Sequence, residues 1–305
     1  MRKNHRPRAT LTLLALLLLA AAMAYGCSLI HNIPLNNGGV AVGRPAPDFT
    51  LQDAAGNWHS LSDFRGRKIL LFNWSSWCRC KYQLPAMQEF YLKHKSDGFE
   101  LLAVASEAQG FKWAGRYLEK AGVTFPVLVD PNDSLASSYN FWATENAWLI
   151  DEAGIVRMNE VGFDIRNPEQ HTRLLAAMAL PASGPSEPPA RRPLDERVAA
   201  RQKEVADAPW RLAARFDLAD LLRQQGKLKA AEDVLDRAVR LDPLSAEARW
   251  RQGVVRYEQG RSPEALAAWE QARKLAPTNY IYLRNVQAYL DPDRFYAELS
   301  CGGGQ

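Results

Sequence analysis

The sequence predicts an α/β domain, with a central mixed sheet flanked by helices, followed by an all-α helical-repeat domain. The length of 305 residues exceeds the roughly 100 to 200 residues of a single domain. Short apolar, strand-like runs alternate with amphipathic helical stretches up to about residue 180, as in βαβ units. Beyond a proline-rich stretch only helical periodicity remains, and it repeats with an offset of 34 residues.

The elements of the first domain follow from their periodicity. Strands are predicted at 48–53, 68–74, 99–106, 125–130 and 147–151, and a turn at 152–154 leads into an edge strand. Helices are predicted at 84–95, 111–121 and 168–180. Strands alternating with helices predict a sheet with parallel pairs at its centre.

The second domain is predicted from an internal repeat. Residues 212–245 match residues 246–279 at six positions, which pair Ala219 with Gly253, Gly226 with Gly260, Ala231 with Ala265, Leu235 with Trp269, Ala238 with Ala272 and Pro243 with Pro277. This helix-turn-helix pattern resembles the tetratricopeptide repeat. Helices at 194–206 and 281–289 would cap the stack, and we expect Phe295 and Tyr296 to pack on the last repeat.

Two roles are open for the repeats. They could dock a partner peptide in the concave face that stacked repeats form. They could instead dimerise or brace the first domain. The segment before them, 181–193, has five prolines in thirteen residues, which predicts a semi-rigid extended linker.

The charge balance excludes an electrostatic footprint for nucleic acid. The formal net charge is +4, and Arg2, Lys3, Arg6 and Arg8 account for all of it. The rest of the chain is neutral overall, whereas nucleic-acid binding needs a surplus of Lys and Arg facing phosphates. We therefore expect no nucleic-acid partner.

The N-terminus has the layout of an export signal. Its basic start is followed by the apolar run Leu11 to Ala24 and by small residues. The run is shorter than the ~20 residues of a spanning helix. The pattern resembles a bacterial lipoprotein signal in which Cys27, after Gly26, would be lipidated; a retained N-terminal anchor is the alternative. Either way, we expect a membrane-anchored, extracytoplasmic protein on the periplasmic side, in an oxidising space.

Cysteine usage points to one pair. Of the four cysteines, Cys27 belongs to the anchor, Cys301 lies in a glycine-rich tail, and Cys78 and Cys80 are one residue apart. A strand that runs into a helix places Cys78 at the helix N-terminus, where free N–H groups favour a thiolate, and Arg79 and Lys81 are expected to add positive charge. In disulfide exchange, Cys78 would attack a substrate disulfide and Cys80 would resolve the mixed disulfide.

A resemblance to a known family rests on four segments: GRPAPDFTLQDAAGNWHSLSDFRGRKILLFNWSSWCRC, LPAMQEFY, GVTFPVLVDPNDSLASSYNF and WLIDEAGIVR. They resemble the thioredoxin-fold, membrane-anchored thiol-disulfide oxidoreductases of the TlpA/ResA type, over about residues 42–180. The resemblance implies a thioredoxin-like fold, an exported protein substrate such as apocytochrome c, and a redox partner protein. It also implies that Trp77 shields one side of the thiol pair, and it predicts no cofactor.

Three positions depart from the family pattern. The motif C-x-x-C is shortened to Cys78-Arg79-Cys80, so a disulfide within it should be strained and relatively oxidising. Gln83, which cannot titrate, stands where the family tends to place a glutamate before its Leu-Pro. Glu145 stands at the position of the family's cis-proline. Because a cis bond before a non-proline residue costs ~3 to 4 kcal/mol, we expect a trans bond there.

Those departures leave other interpretations open. A peroxidase of the peroxiredoxin type needs Pro and Thr before its cysteine, where Leu71 and Ser75 stand. The pair Cys78 and Cys80 could hold a soft ion such as Cu(I), although the sequence shows no other cluster of metal ligands. A redox-inactive adaptor would keep its function with both cysteines changed to serine.

The aromatic residues near Glu145 also have two interpretations. Trp113, Trp142 and Trp148 could form an apolar groove beside it. Large aromatic residues are more often part of the core.

These observations predict a thiol-disulfide oxidoreductase that acts on cysteines of exported proteins and docks a partner through its repeats. The catalytic candidates are Cys78 and Cys80, and the supporting residues are Trp77, Arg79, Gln83 and Glu145. The predicted parts are a signal or anchor 1–26, a tether 27–41, a thioredoxin-like domain 42–180, a linker 181–193, a repeat domain 194–298 and a flexible tail 299–305.

Overall fold

The computed structural model describes residues 39–96, 98–185, 187 and 190–300. The predicted signal, the lipidation candidate Cys27, most of the tether and Cys301 lie outside the described residues. Within the described ranges, no helix has both the length and the apolar character needed to cross a bilayer.

The first domain is built on one mixed sheet. Its strands are β1 Thr50–Gln52, β2 Trp58–Ser60, β3 Lys68–Trp74, β4 Phe99–Ala105, β5 Val127–Val129, β6 Asn146–Ile150 and β7 Val156–Val161. They lie in the order β2-β1-β5-β4-β3-β6-β7. β4 pairs in parallel with β3 and β5, whereas β6 and β7 pair antiparallel. The predicted parallel centre and edge strand are therefore confirmed.

Continuous apolar runs place the central strands in the core. Every residue of β4 is buried, as are all residues of β6 and all but the first of β3. Such runs are typical of strands covered on both faces by helices. The helices of this domain are α1 Leu84–His94, α2 Phe111–Lys120, α3 Ser134–Tyr139 and α4 Pro168–Met178.

The short helix α3 has no counterpart in the sequence prediction. Six residues are too few to show helical periodicity, and a side chain outside the helix fixes its start. The carboxylate of the buried Asp130 accepts hydrogen bonds from the Ser134 hydroxyl and from the Leu135 N–H. Asp130 therefore satisfies backbone and side-chain donors of the first turn.

The second domain is a stack of antiparallel helices with tetratricopeptide-repeat character. Its helices are α5 Leu194–Asp207, α6 Leu212–Gln224, α7 Leu228–Leu241, α8 Ala246–Glu258, α9 Ser262–Leu275, α10 Tyr280–Leu290 and α11 Pro292–Ser300. Gly226 and Gly260, paired in the repeat, both have positive φ in the turns. A Cβ on Gly253 would lie 2.4 Å from the Trp269 ring, so only glycine lets α8 and α9 approach this closely.

The first helix of each repeat pair packs toward the first domain. The indole N–H of Trp250, on α8, donates to the Pro131 carbonyl at 2.9 Å. The Asn132 amide donates to Asp220, on α6, at 2.7 Å. The N–H of Ala108 donates to the Asn285 side chain, on α10, at 2.9 Å. Residues of α6, α8 and α10 therefore contact the chain's own first domain, as the bracing interpretation requires, and the docking interpretation stays a prediction.

Polar contacts hold the linker against the first domain. The Ser183 hydroxyl donates to Asp151 at 2.6 Å. The Arg191 guanidinium donates to the Ser62 hydroxyl at 2.6 Å and pairs with Asp63 at 3.3 Å. The described part of this segment is thus bound to the surface at both of its ends.

Candidate active site

The two cysteines lie where β3 ends and the helical segment begins. Cys78 immediately precedes a 3-10 helix, Arg79–Gln83, which continues into α1. Its Sγ accepts a hydrogen bond from the Cys80 N–H at 3.3 Å. Cys78 is half-buried, whereas Cys80 is 1% exposed, and both are free thiols. The chain thus presents one thiol to the surface and keeps the other beneath it.

The environments of the two thiols move their pKa values apart. A hydrogen bond from the Cys80 side chain lowers the pKa of Cys78 to about 7, with further support from the Thr144 hydroxyl. Burial raises the pKa of Cys80 well above its ordinary value, and the neighbouring Cys78 raises it further. Cys78 is therefore the group that ionises first, which makes it the better nucleophile near neutral pH.

The loop before β6 brings a carboxylate to the thiols. Ligand atoms of Cys78, Cys80 and Glu145 all lie within 4.8 Å of one another. Burial raises the pKa of Glu145. The loop at 143–145 carries this carboxylate. In the family pattern the glutamate lies instead on the helical segment, at the position of Gln83.

The peptide bond between Thr144 and Glu145 is cis, so the expected trans bond is wrong. Hydrogen bonds hold the backbone on either side of it. The Glu145 carbonyl accepts from the Phe163 N–H at 3.0 Å, and the Asn146 side chain donates to the Ala143 carbonyl at 2.6 Å. Tertiary contacts of this kind override the local preference for trans.

Gln83 is a structural bridge. It is 1% exposed; its side-chain amide donates to the Phe163 carbonyl at 2.9 Å and accepts from the Ile165 N–H at 3.0 Å. An amide can satisfy a carbonyl and an N–H together, which a carboxylate cannot do. Glutamine in place of the family's glutamate is therefore suited to the two hydrogen bonds that hold the loop at Phe163 and Ile165.

A buried carboxyl below the thiols was missed from the sequence. Glu107 is 2% exposed, its Oε1 accepts from the Ser76 N–H, and burial raises its pKa to about 7. Lys81 faces it from the helical segment. A carboxylate directly after the parallel strand β4 was the available signal, because such strand ends line functional sites in α/β sheets.

Lys81 does not act as a surface cation beside Cys78. It is 7% exposed, and its Nζ donates to the Tyr117 hydroxyl at 3.1 Å and to the Phe295 carbonyl at 3.2 Å. Arg79 is exposed, and its charge lowers the pKa of Glu145. The exposed Arg166 acts on Glu145 in the same direction, and both charges oppose the upward pKa shift that burial causes.

The last helix, α11, packs on the first domain beside this site. The ring of Tyr296 stacks on Trp113, with centroids 4.1 Å apart and planes 9° apart. The Ser76 hydroxyl donates to the Tyr296 hydroxyl at 3.3 Å. The expectation that Tyr296 packs on the last repeat is wrong, because Tyr296 belongs to the core of the first domain. Helix α11 also continues through Ser300, so residues 299 and 300, which were predicted in the tail, belong to this helix.

The three candidate tryptophans have different surroundings. Trp148 is fully buried between Tyr139 and Phe141, and Trp113 lies under Tyr296. Trp142, in contrast, is 41% exposed.

Trp77 is 4% exposed because helix α10 covers it. The ring of Tyr280 meets it edge-on at 6.1 Å, and the Arg284 guanidinium lies 6.0 Å from its centre. The residue expected to shield the thiols is thus itself shielded by the second domain.

Comparisons with known proteins agree with this arrangement. Residues 42–159 match the model of the AhpC/TSA family, and residues 216–280 match a tetratricopeptide repeat model. Thiol-disulfide oxidoreductase ResA from Geobacillus kaustophilus is 37% identical over 143 residues, which span 47% of this chain and 80% of ResA. Thioredoxin-like protein YneN from Bacillus subtilis is 31% identical over 153 residues, spanning 49% of this chain and 89% of YneN.

Among solved structures, a crystal structure from Chlorobium tepidum is described as the thiol:disulfide interchange protein DsbE. It has a TM-score of 0.42 and 31% identity, covering 46% of this chain and 99% of its own. The family assignment rests on ResA, which is 37% identical and is matched over 80% of its own length. The chain therefore belongs to the family of ResA-type thiol-disulfide oxidoreductases, here followed by tetratricopeptide repeats.

Proposed function

We propose that the chain is anchored to a membrane on its extracytoplasmic side and exchanges disulfides with exported proteins. In this proposal Cys78 is the nucleophile and Cys80 the resolving thiol. The observation that carries it is the asymmetry of the pair: Cys78 is half-buried with a pKa of about 7, and Cys80 is buried with a raised pKa. The location rests on the signal-like residues 1–26 and on Cys27.

The exchange conserves two electrons. The Cys78 thiolate attacks one sulfur of a substrate disulfide, a mixed disulfide forms, and the other substrate sulfur leaves as a thiolate. Cys80 then loses its proton and attacks the Cys78 sulfur, which releases the second substrate sulfur. The products are a Cys78-Cys80 disulfide and a reduced substrate. The reverse sequence oxidises a substrate, and the reduction potential of the pair sets the direction.

Glu145 is the group we propose for the proton of Cys80. Its carboxylate lies within 4.8 Å of both sulfur atoms, and burial raises its pKa toward the range useful for a general base. A Glu145→Gln variant keeps the shape without the titrating group. We expect slower resolution and accumulation of the mixed disulfide.

A second protein is required to return the pair to its starting state. Each reduction of a substrate leaves a disulfide at Cys78 and Cys80, and a further dithiol can reduce it by the same exchange. We therefore propose a redox partner protein beside the exported substrate. The first helices of the repeats pack on the chain's own first domain. We therefore propose that the repeats bind a partner where they border the thiol site.

The test is the reduction potential of the full chain carrying Cys27→Ser and Cys301→Ser, which leaves two of the four cysteines. The protein is equilibrated in thiol buffers and its free thiols are trapped and counted by mass. We expect a reversible two-electron transition, absent in Cys78→Ser and Cys80→Ser. The proposal would be contradicted if Cys78 and Cys80 stayed unpaired under oxidising conditions and also formed no mixed disulfide.

A second candidate function is binding of a soft metal ion. The three ligand atoms of Cys78, Cys80 and Glu145 are close enough to share one ion, and thiolates select ions such as Cu(I). Competition against a Cu(I) chelator under anaerobic conditions tests it. Tight 1:1 binding that Cys78→Ser abolishes would support this function, and binding no tighter than that of the double serine variant would exclude it.

A further inference from the structure

The repeat domain supplies part of the rim around the reactive thiol. Tyr280, the first residue of α10, lies between two tryptophans of the first domain. Its ring meets Trp77 at 6.1 Å and 69°, and Trp142 at 6.2 Å and 89°. These are edge-to-face contacts of the kind that aromatic rings prefer. The three rings form a row, which we call the aromatic row: Trp77, Tyr280 and Trp142.

Both ends of the aromatic row are tied to Cys78. Trp77 is its neighbour in the chain. Trp142 lies three residues before Glu145, whose carboxylate is within 4.8 Å of the Cys78 sulfur. The aromatic row therefore lies close to the half-buried Cys78 sulfur, which a substrate disulfide has to reach.

The exposure of the rings shows which of them a substrate would meet. Trp77 is 4% exposed beneath Tyr280 and Arg284, whereas Trp142 is 41% exposed and Tyr280 is partly exposed. The two exposed rings of the row therefore come one from each domain. Arg284 adds a cation, since its guanidinium lies 5.7 Å from the centre of the Tyr280 ring.

We infer that Tyr280 and Trp142 form a docking surface for the polypeptide next to a substrate disulfide, so that the repeat domain helps to determine substrate specificity. The inference rests on the proposed disulfide exchange at Cys78. The occupant is a polypeptide disulfide with an apolar or aromatic residue beside its cysteine, because exposed rings favour such side chains. A small disulfide reacts with the sulfur alone and covers little of this surface.

The test compares two disulfides on the full chain with Cys27→Ser and Cys301→Ser. One is a peptide disulfide with phenylalanine beside each cysteine, and the other is 2-hydroxyethyl disulfide. Rate constants for oxidation of the Cys78/Cys80 pair are measured for both. We expect Tyr280→Ala to lower the ratio of the peptide rate to the small-disulfide rate about tenfold, and Tyr280→Phe to keep the wild-type ratio.

Two further variants separate docking from loss of structure. Trp142→Ala changes the first domain only, and we expect the same fall in the ratio. Trp210→Ala removes a 69% exposed aromatic residue of the repeat domain, and both rates should stay at wild-type values. An unchanged ratio in Tyr280→Ala and Trp142→Ala overturns the inference, and so does an equal loss of both rates. A wild-type protein that reacts with neither disulfide overturns the proposed exchange itself.

Discussion

The Ser76 hydroxyl donates a hydrogen bond to the Tyr296 hydroxyl at 3.3 Å, although 220 residues separate them in the chain. Ser76 also donates its N–H to Glu107, the buried carboxyl below the thiols. The last helix of the repeat domain therefore closes over the inner side of the thiol site. Its hydrogen bond holds the short stretch of chain that leads into Cys78, and its ring stacks on Trp113 of α2.

Removing the Tyr296 ring should loosen this closure. Tyr296 is 2% exposed, so Tyr296→Ala leaves a cavity, and we expect it to lower the free energy of unfolding by about 3 kcal/mol. Tyr296→Phe keeps the stacked ring and loses one hydroxyl contact, so its cost should be about 1 kcal/mol. Urea unfolding of both variants measures the difference. Equal stabilities would show that the stacked ring contributes nothing to stability.

The reactivity of Cys78 should follow a titration near neutral pH. Its pKa is lowered to about 7, so its rate of alkylation by iodoacetamide should be half-maximal near that pH. Cys80→Ser removes the thiol that lowers the pKa most, and we expect the midpoint to move up. Mass spectrometry of the alkylated peptide identifies the modified cysteine. First modification at Cys80 would reverse the assignment of the nucleophile.

Glu107 should make stability depend on pH. Burial raises its folded-state pKa from 4.5 to about 7, so the stability it contributes is present below pH 4.5 and is lost as the pH rises through 7. The full loss is about 3 kcal/mol. In Glu107→Gln, which keeps an acceptor for Ser76, the free energy of unfolding should change less between pH 5 and pH 8. Denaturant unfolding at both values measures this, and identical pH profiles would rule the effect out.

Restoring the family's glutamate at position 83 should weaken this protein. Gln83→Glu loses the donor to the Phe163 carbonyl and buries a carboxylate near Glu145. We expect a loss of about 2 kcal/mol in the free energy of unfolding, since a buried carbonyl is left without its partner. Thermal or urea unfolding checks it, with Gln88→Glu as a control on the neighbouring helix, where Gln88 bonds to Thr124. A more stable Gln83→Glu variant would contradict this account of the loop.

The secondary structure was predictable because it depends on short-range periodicity. Strand β4 lies where its apolar run predicted it. The turns of the repeats lie at Gly226 and Gly260, as the repeat pattern predicted. The cysteine pair was predictable for a similar reason, since a strand running into a helix places Cys78 at an N-terminus. Helix α3 was missed because a side chain outside it, Asp130, fixes its start.

Local sequence thus determined the elements, the repeat and the position of the thiol pair. Only the tertiary structure decided which groups surround that pair. The Thr144–Glu145 bond is cis because hydrogen bonds across the loop hold it, which no local preference could indicate. Tyr280 and Tyr296 reach the site because α10 and α11 pack back onto the first domain, more than 200 residues later in the chain. Such contacts depend on how the side chains of two surfaces pack against each other in three dimensions. The local pattern of the sequence does not contain this information.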